Sequence, residues 1–346
     1  MKLPYVKGIE KYDFGYGHPF RGDRFPKFIG FLRRVNAPIE VVGPIGDPPT
    51  FQDLLKVHDR EYLDRLIDLS NRGFGLVSLD TPAFRGMWEA SLNLVYSALS
   101  AVRLALKEGA SVGFGGAHHA GISEGGGFCL LNDVAIAARW AQSHGVDRVA
   151  IFDHDAHHGN GTMEIFYEDD SVLYMSLHQD PATIYPGIGF LHQVGRGKGE
   201  GYTVNVPLPP KAGPESYRMA IEELIIPIAE SFDADLVIAH GGSDPHYSDP
   251  LTDLGQTIEG LWELGGWAAS IRSRNRVNLL ISGYNEEVRN WGWLALSYGF
   301  MGEALPKDPR DIDGSPKIEE DYVIRRTRAV VDEGKKVFSK YWHIRG

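Results

Sequence analysis

The sequence is short of three things that would point to other classes of protein. Its 346 residues include one cysteine, Cys129, which excludes an internal disulfide and favours a reducing compartment. There is no run of eighteen apolar residues, and the N-terminal segment lacks the apolar core of a signal peptide. Basic residues are outnumbered by acidic ones, 35 to 46, giving a formal net charge of −11. This balance argues against a general nucleic-acid binder and suits a cationic substrate. We therefore expect a cytoplasmic protein with no direct nucleic-acid or membrane partner.

Short apolar runs alternate with segments in which apolar residues recur every three or four positions. This alternation predicts an α/β fold with a largely parallel sheet covered by helices on both faces. The Pro- and Gly-rich stretches 43–49 and 306–317 are interpreted as surface loops, so we predict one domain over residues 1–346. The predicted strands cover 111–116, 148–153, 172–177, 235–240 and 277–282. The predicted helices cover 50–69, 87–107, 132–143, 214–231, 257–271 and 318–342.

Polar side chains follow each of the five predicted strands. After the second strand, the segment VAIFDHDAHHGNGT (149–162) passes directly from an apolar run to Asp153, Asp155 and His157. In open α/β sheets the loops at the carboxyl ends of the strands bind ligands, and parallel strands end at one common edge. Residues that are distant in sequence can therefore converge there. The other four strands are followed by His118 and His119, by His178, by Asp244 and His246, and by Tyr284.

The residue types in these loops suit a metal site with an adjacent base. Asp155, His157 and Asp244 offer two carboxylates and one imidazole, and a catalytic zinc commonly keeps three such ligands beside an open position. A water molecule at that position needs a base to take its proton. His118 and His119 fit this role because histidine titrates near neutrality.

Two further residues complete a hydrolytic site. The Asp153 carboxylate is suited to accept a hydrogen bond from one of the paired histidines, which would fix its tautomer and raise its basicity. The Tyr284 hydroxyl is suited to donate a hydrogen bond to a developing oxyanion. Together these residues predict metal-assisted hydrolysis of an amide or an ester.

Five motifs carry a resemblance to a known family: GAHHA, GFCLLNDVAIAA, DHDAHHGNGT, SLHQD with YPGIG, and DPL. In this order they resemble the histone deacetylase superfamily, including acetylpolyamine amidohydrolases and acetoin-utilisation deacetylase-like proteins. Similar segments extend from Tyr16 to Glu287. The resemblance implies an arginase/deacetylase fold with a parallel sheet of about eight strands between helical layers. It also implies zinc-dependent removal of acetyl or related acyl groups from an amine such as acetyl-lysine or acetylpolyamine.

Carried over by position, the resemblance implies zinc binding by Asp155, His157 and Asp244, ligand types that also accept Fe²⁺. It gives His119 the role of general base and His118 that of an electrostatic helper. Asp153 resembles the partner of His118, and Tyr284 the tyrosine that polarises the substrate carbonyl. A structural K⁺ is also implied, held by the Asp153 carboxylate, main-chain oxygens near Asp155 and His157, Ser176 and Leu177.

The resemblance also implies substrate-binding residues. Phe128 and Tyr185 match two aromatic residues that line an acyl-lysine tunnel, with Gly127 beside them, although core packing would also account for both aromatics. Asp80 aligns with a rim aspartate that binds substrate backbone amides. An alternative for Asp80 is a cap for the helix that begins in TPAFRGM.

The sequence departs from the family pattern at three places. Asn160 stands where many members have a second aspartate, which makes the partner of His119 neutral. The segment before and after the third ligand reads HGGSDPHYSD, and the tyrosine lies in SGYN in place of a double-glycine turn. The following NWGWLALSYGF (290–300) contains Trp291 and Trp293, which we interpret as packing residues.

Two alternative functions remain open at this point. One is a catalytically silent module that binds acyl-lysine without turnover. The other is a serine hydrolase, because GISEG around Ser123 matches the nucleophile-elbow pattern. An elbow requires a sharp turn from a strand into a helix, and the sequence after Ser123 shows no helix beginning.

Overall fold

The computed structural model of the protein describes residues 1–314 and 318–344. The strands are Lys2–Pro4 (β1), Glu40–Val42 (β2), Leu76–Ser78 (β3), Thr81–Pro82 (β4), Ala110–Phe114 (β5), Val149–Asp153 (β6), Val172–Gln179 (β7), Thr203–Leu208 (β8), Leu236–Gly241 (β9) and Asn275–Leu280 (β10). The helices are Arg24–Arg34 (α1), Phe51–Leu54 (α2), Arg60–Arg72 (α3), Met87–Glu108 (α4), Asp133–Gln142 (α5), Asn160–Phe166 (α6), Pro214–Ala220 (α7), Ile226–Phe232 (α8), Ile258–Ser270 (α9), Glu286–Met301 (α10), Arg310–Asp313 (α11) and Asp321–Phe338 (α12).

Within the described ranges, six strands form the main sheet in the order β5-β10-β9-β6-β7-β8. Strand β6 runs parallel to both of its neighbours, so that Asp153 lies opposite Ser176 of β7 and His240 of β9. Every residue of β6 is buried, as expected for a parallel strand covered on both faces. The five predicted strands are confirmed as β5, β6, β7, β9 and β10, and the predicted α/β class is confirmed with them.

The sheet has six strands where the resemblance implies about eight. Two further strands, β1 and β2, form a separate parallel pair, and β1 contacts β5. Sequence reasoning missed β8, whose Thr203–Leu208 includes a proline that weakens the strand pattern.

Two predicted helices are interrupted in the structure. The segment 50–69 forms α2 and α3, because the Asp59 side chain accepts the Tyr62 N–H (2.7 Å) and starts a new helix. The segment 214–231 contains a π-helical turn, Ile221–Ile225, between α7 and α8. Pro227 lies just after that turn and has no N–H for a regular helical hydrogen bond. The predicted loop 306–317 contains α11, and its residues 315–317 lie outside the described residues.

By its contacts the chain divides into two compact units. The first comprises Met1–Val146, Asn160–Ile165 and Leu279–Ile281, and its core is α4 packed against β5 and α5. The second comprises Asp147–Gly159, Phe166–Asn278 and Ser282–Gly346, and contains β6 to β9 with α9 packed on α10. The single domain over residues 1–346 stays a prediction. In the described part of the chain, no helix combines the length and the apolar character needed to cross a bilayer.

Candidate active site

In the second unit, Asp155, His157 and Asp244 form a compact buried cluster. The first two follow β6 and the third follows β9, so adjacent parallel strands bring them together. One ligand atom from each residue lies within 4.8 Å of the others. His157 Nδ1 lies 3.3 Å from Asp155 Oδ1 and 3.2 Å from Asp244 Oδ2. The predicted ligand set therefore meets in space.

The electrostatics of this cluster favour a positive charge at its centre. Burial lowers the pKa of His157, but hydrogen bonds and attraction from Asp155 and Asp244 outweigh it and raise that pKa to about 10. Burial, and then repulsion from Asp155, raises the pKa of the Asp244 carboxyl well above its ordinary value. A cation between two carboxylates that lie close together away from water relieves their repulsion. A divalent metal ion is such a cation, and two carboxylates with one imidazole are suitable ligands.

Asp153 is fully buried at the end of β6 and supports the loop that follows it. Its Oδ1 accepts the N–H of Asp155 (3.2 Å), and its Oδ2 accepts the hydroxyl of Tyr174 (2.8 Å). These bonds fix the start of the loop that contains two of the three clustered residues. Asp153 and Ser176, two of the residues expected to hold K⁺, are register partners on neighbouring strands.

In the first unit, the paired histidines lie in a loop that is fixed by the start of α5. His118 and His119 are buried, with relative exposures of 2% and 7%. The Asn132 amide donates to the carbonyl oxygens of His118 (3.4 Å) and Ala120 (3.0 Å). The Asp133 carboxylate accepts the N–H of Gly116 (2.8 Å) in the same loop. The GFCLLNDVAIAA motif therefore positions the histidine pair.

His119 has the neutral partner that the sequence indicates. Its Nδ1 lies 2.7 Å from Oδ1 of Asn160, the first residue of α6. An amide oxygen accepts hydrogen bonds only, so Nδ1 carries a proton, and in the neutral ring Nε2 is the nitrogen without one. In this tautomer His119 can accept a proton at Nε2.

Tyr284 follows β10 through Gly283, whose φ of +118° requires glycine. The Tyr284 N–H donates to Oδ2 of Asp249 (2.7 Å), a largely buried residue of the DPL motif. Burial raises the pKa of the Asp249 carboxyl. Sequence reasoning named the motif but gave no role to this aspartate, which holds the backbone of the tyrosine.

The candidate substrate residues Asp80, Gly127 and Phe128 lie close together in the first unit. Both carboxylate oxygens of Asp80 accept the Gly127 N–H at 3.1 Å. The Phe128 ring packs edge-on against the His18 ring, with 4.6 Å between the ring centroids. A side chain at Gly127 would overlap His119, so this segment lies directly against the candidate base.

The helix-cap alternative for Asp80 is wrong, because α4 begins at Met87 with Gly86 as its N-cap. Tyr185 lies in the second unit and is 44% exposed, more than a core residue would be. The packing alternative for this tyrosine therefore loses support.

Ser123 does not lie in a nucleophile elbow. It occupies an exposed bend, no helix begins there, and its hydroxyl donates to Asp59 (2.5 Å). The nearby His58 ring is occupied at both nitrogens, by the Gly121 carbonyl oxygen (2.8 Å) and the Asn132 N–H (3.0 Å). Burial lowers the pKa of His58 to about 4. The serine hydrolase alternative has no geometric support.

Comparison with known proteins agrees with these observations. The family model described as the histone deacetylase domain matches residues 18–299. The chain belongs to the histone deacetylase family. This match covers the histidine pair, the Asp155–His157–Asp244 cluster and the Tyr284 loop.

Individual relatives cover most of the chain. A probable deacetylase of Archaeoglobus fulgidus is 35% identical over 305 residues, which is 85% of this chain and 84% of that protein. The acetoin utilization protein AcuC of Bacillus subtilis is 34% identical over 269 residues, 73% of this chain and 68% of that protein. Among solved structures, the HDA15 HD domain superposes with a TM-score of 0.83 at 27% identity, covering 99% of this chain and 97% of that one.

Proposed function

We propose that this protein is a zinc-dependent deacetylase that hydrolyses the amide of an acylated amine such as acetyl-lysine or acetylpolyamine. The observation that carries the proposal is the buried Asp155–His157–Asp244 cluster, found in a member of the histone deacetylase family. We also propose that the whole chain acts as one cytoplasmic catalytic domain.

Asp155, His157 and Asp244 would hold the catalytic ion. When bound, a divalent cation such as Zn²⁺ supplies Lewis acidity that polarises the amide carbonyl and acidifies water. Fe²⁺ is accepted by the same ligand types. The Asp153 carboxylate and Ser176, together with Leu177 and nearby main-chain oxygens, would hold a K⁺ ion.

The remaining chemistry belongs to the side chains of the protein. His119 takes a proton from the attacking water at Nε2, the nitrogen that its contact with Asn160 leaves unprotonated. It then gives that proton to the departing amine nitrogen as the C–N bond breaks, leaving acetate and the free amine. His118 stabilises charge beside it. The Tyr284 hydroxyl donates a hydrogen bond to the carbonyl oxygen as negative charge develops there.

The substrate would approach as a slender acyl chain. Phe128 and Tyr185 would line its path, Gly127 would leave room for it, and Asp80 would act at the rim. The Asp80 carboxylate already accepts the N–H of Gly127, so a substrate amide would share this acceptor. The acidic balance of the chain favours an acylated amine that carries positive charge elsewhere.

The test is acetate release by the zinc-loaded protein from an acetyl-lysine peptide and from an acetylpolyamine, with a metal-stripped sample as the control. We expect metal-dependent release from at least one substrate. Asp155→Ala should lose both metal and turnover, whereas His119→Ala should keep metal and lose turnover. Zinc-loaded protein that releases acetate from neither substrate would contradict the proposal and favour the silent binding module.

A further inference from the structure

Ser282 gives the Tyr284 loop a second connection to the metal-ligand cluster. It occupies the first position of SGYN, where the family resemblance implies a double-glycine turn, and it is 2% exposed. Its hydroxyl donates to Oδ1 of Asp244 at 2.6 Å. A glycine at this position would have no such donor.

This hydrogen bond distinguishes the two oxygens of Asp244. Oδ1 is engaged by the Ser282 hydroxyl, whereas Oδ2 accepts the Ala156 N–H (3.2 Å) and lies 3.2 Å from His157 Nδ1. A carboxylate held at both oxygens cannot rotate about its Cβ–Cγ bond without losing one of these contacts. The side of Asp244 that faces His157 is thereby fixed.

Ser282 is itself held on two sides. The indole N–H of the fully buried Trp293, in α10, donates to the Ser282 carbonyl oxygen at 2.7 Å. On another side, a Cβ at Gly242 would lie 2.1 Å from the same oxygen. The main chains at Gly242 and Ser282 are therefore too close to leave room for a side chain at Gly242. Trp293 therefore contacts the main chain two residues before Tyr284, which goes beyond the packing role that the sequence predicts for it.

We propose that Ser282 is a positioning residue for the metal ligand Asp244, and that Trp293 fixes Ser282 through its indole N–H. The inference rests on the proposed metal-dependent function, since it concerns how one ligand of that centre is oriented. Hydrogen-bonded partners of metal ligands commonly contribute about 10–100-fold in metal affinity. The pair Ser282 and Trp293 would make that contribution here.

The first experiment measures Zn²⁺ and Co²⁺ affinity and the Co²⁺ absorption spectrum of the full chain. We expect Ser282→Ala to weaken metal binding by about 10–100-fold and to alter the spectrum. Ser282→Cys, which keeps a weak donor of similar size, should have a metal affinity between those of wild type and Ser282→Ala. Ser297→Ala is the matched control, because it also removes a buried serine hydroxyl. The Ser297 hydroxyl lies in α10 and donates to the Trp293 carbonyl oxygen (2.8 Å), not to Asp244.

The second experiment tests the link to Trp293. Trp293→Phe keeps an aromatic ring and removes the N–H, and Trp291→Phe is its control on the same helix. If Trp293 acts through Ser282, the Trp293→Phe variant should bind metal more weakly, and combining it with Ser282→Ala should weaken binding by less than the product of the single effects.

The outcomes separate this inference from the proposed function. Wild-type protein that binds no divalent metal would overturn the metal centre and the inference with it. Wild-type binding with an unchanged affinity in Ser282→Ala would overturn the inference alone. An affinity loss in Ser297→Ala equal to that in Ser282→Ala would also overturn it, because the effect would then follow from core damage. Multiplicative losses in the double variant would overturn the assigned role of Trp293.

Discussion

Replacing Gly127 with alanine would push the ring of the candidate base out of place. A Cβ built on Gly127 lies 2.2 Å from Cδ2 and 2.6 Å from Cγ of His119, whereas ordinary van der Waals contact begins near 3.4 Å. The ring must therefore move by about 1 Å, and a displacement of that size costs about 100-fold in rate when the group takes part in the chemistry. Gly127 also has φ +54°, which costs a residue with a side chain roughly 1 kcal/mol of stability.

The assay compares the kcat for acetate release, the metal content and the thermal unfolding of Gly127→Ala with those of Gly145→Ala. Gly145 has φ +91° and nothing within 4 Å of its added Cβ, so it incurs the same kind of backbone strain without touching the site. We expect both variants to fold and to keep metal, and Gly127→Ala to lose more stability than Gly145→Ala because the clash with His119 adds to the backbone strain. The large loss in kcat should be confined to Gly127→Ala. A kcat for Gly127→Ala within about threefold of the Gly145→Ala value would refute the reasoning.

Three further predictions follow from individual contacts. Tyr284→Phe should lower kcat about 100-fold or more while metal content stays normal, and near-normal turnover would remove the hydroxyl from the mechanism. A hydrogen bond from Arg328, and a second one from Lys335, lower the pKa of Glu223 to about 2, although its partial burial acts to raise that pKa. A carboxyl group with a lowered pKa stabilises the fold above its unfolded pKa near 4.5, and this stabilisation is lost as the pH falls towards 2. Glu223→Gln should therefore lower the free energy of unfolding by about 1 kcal/mol at pH 7, after allowance for solvent screening. Thermal unfolding should show a progressively smaller loss below pH 4.5. Ser123→Ala should release acetate at a rate within about twofold of wild type, because the loss of its exposed hydrogen bond costs only about 1 kcal/mol of stability. A folded but inactive variant would support the serine hydrolase alternative.

The meeting of Asp155, His157 and Asp244 could be predicted from the sequence because their positions follow from strand topology. Val149–Asp153 and Leu236–Gly241 are the largely apolar runs that a parallel sheet requires, and each ends just before a segment that contributes to the cluster. The register of β6 against β9 places Asp153 opposite His240, so the two loops start side by side. Periodicity and residue type were sufficient for that part of the site.

Other parts depend on contacts between residues that no local pattern connects. Asp249 and Tyr284 are 35 positions apart, and Ser282 and Asp244 are 38 apart. The role of Asp80 depends on a hydrogen bond to Gly127, 47 positions later. A sequence shows that each residue is polar and close to a strand end, but the partner of each one is decided by the packing of the loops.

The aspartates of this chain illustrate why residue type alone overcounts ligands. Asp155 and Asp244 belong to the candidate metal cluster and also accept backbone N–H groups, whereas Asp153, Asp249 and Asp133 lie outside that cluster and accept backbone N–H groups of the loops around the candidate site. Such loops lack the repeating hydrogen bonds of helices and strands, so their N–H groups need other acceptors when they are buried. A carboxylate provides a strong, charge-assisted one. The aspartates around the candidate site therefore have a structural role that does not depend on a cation, because each of these five carboxylates keeps irregular backbone in place.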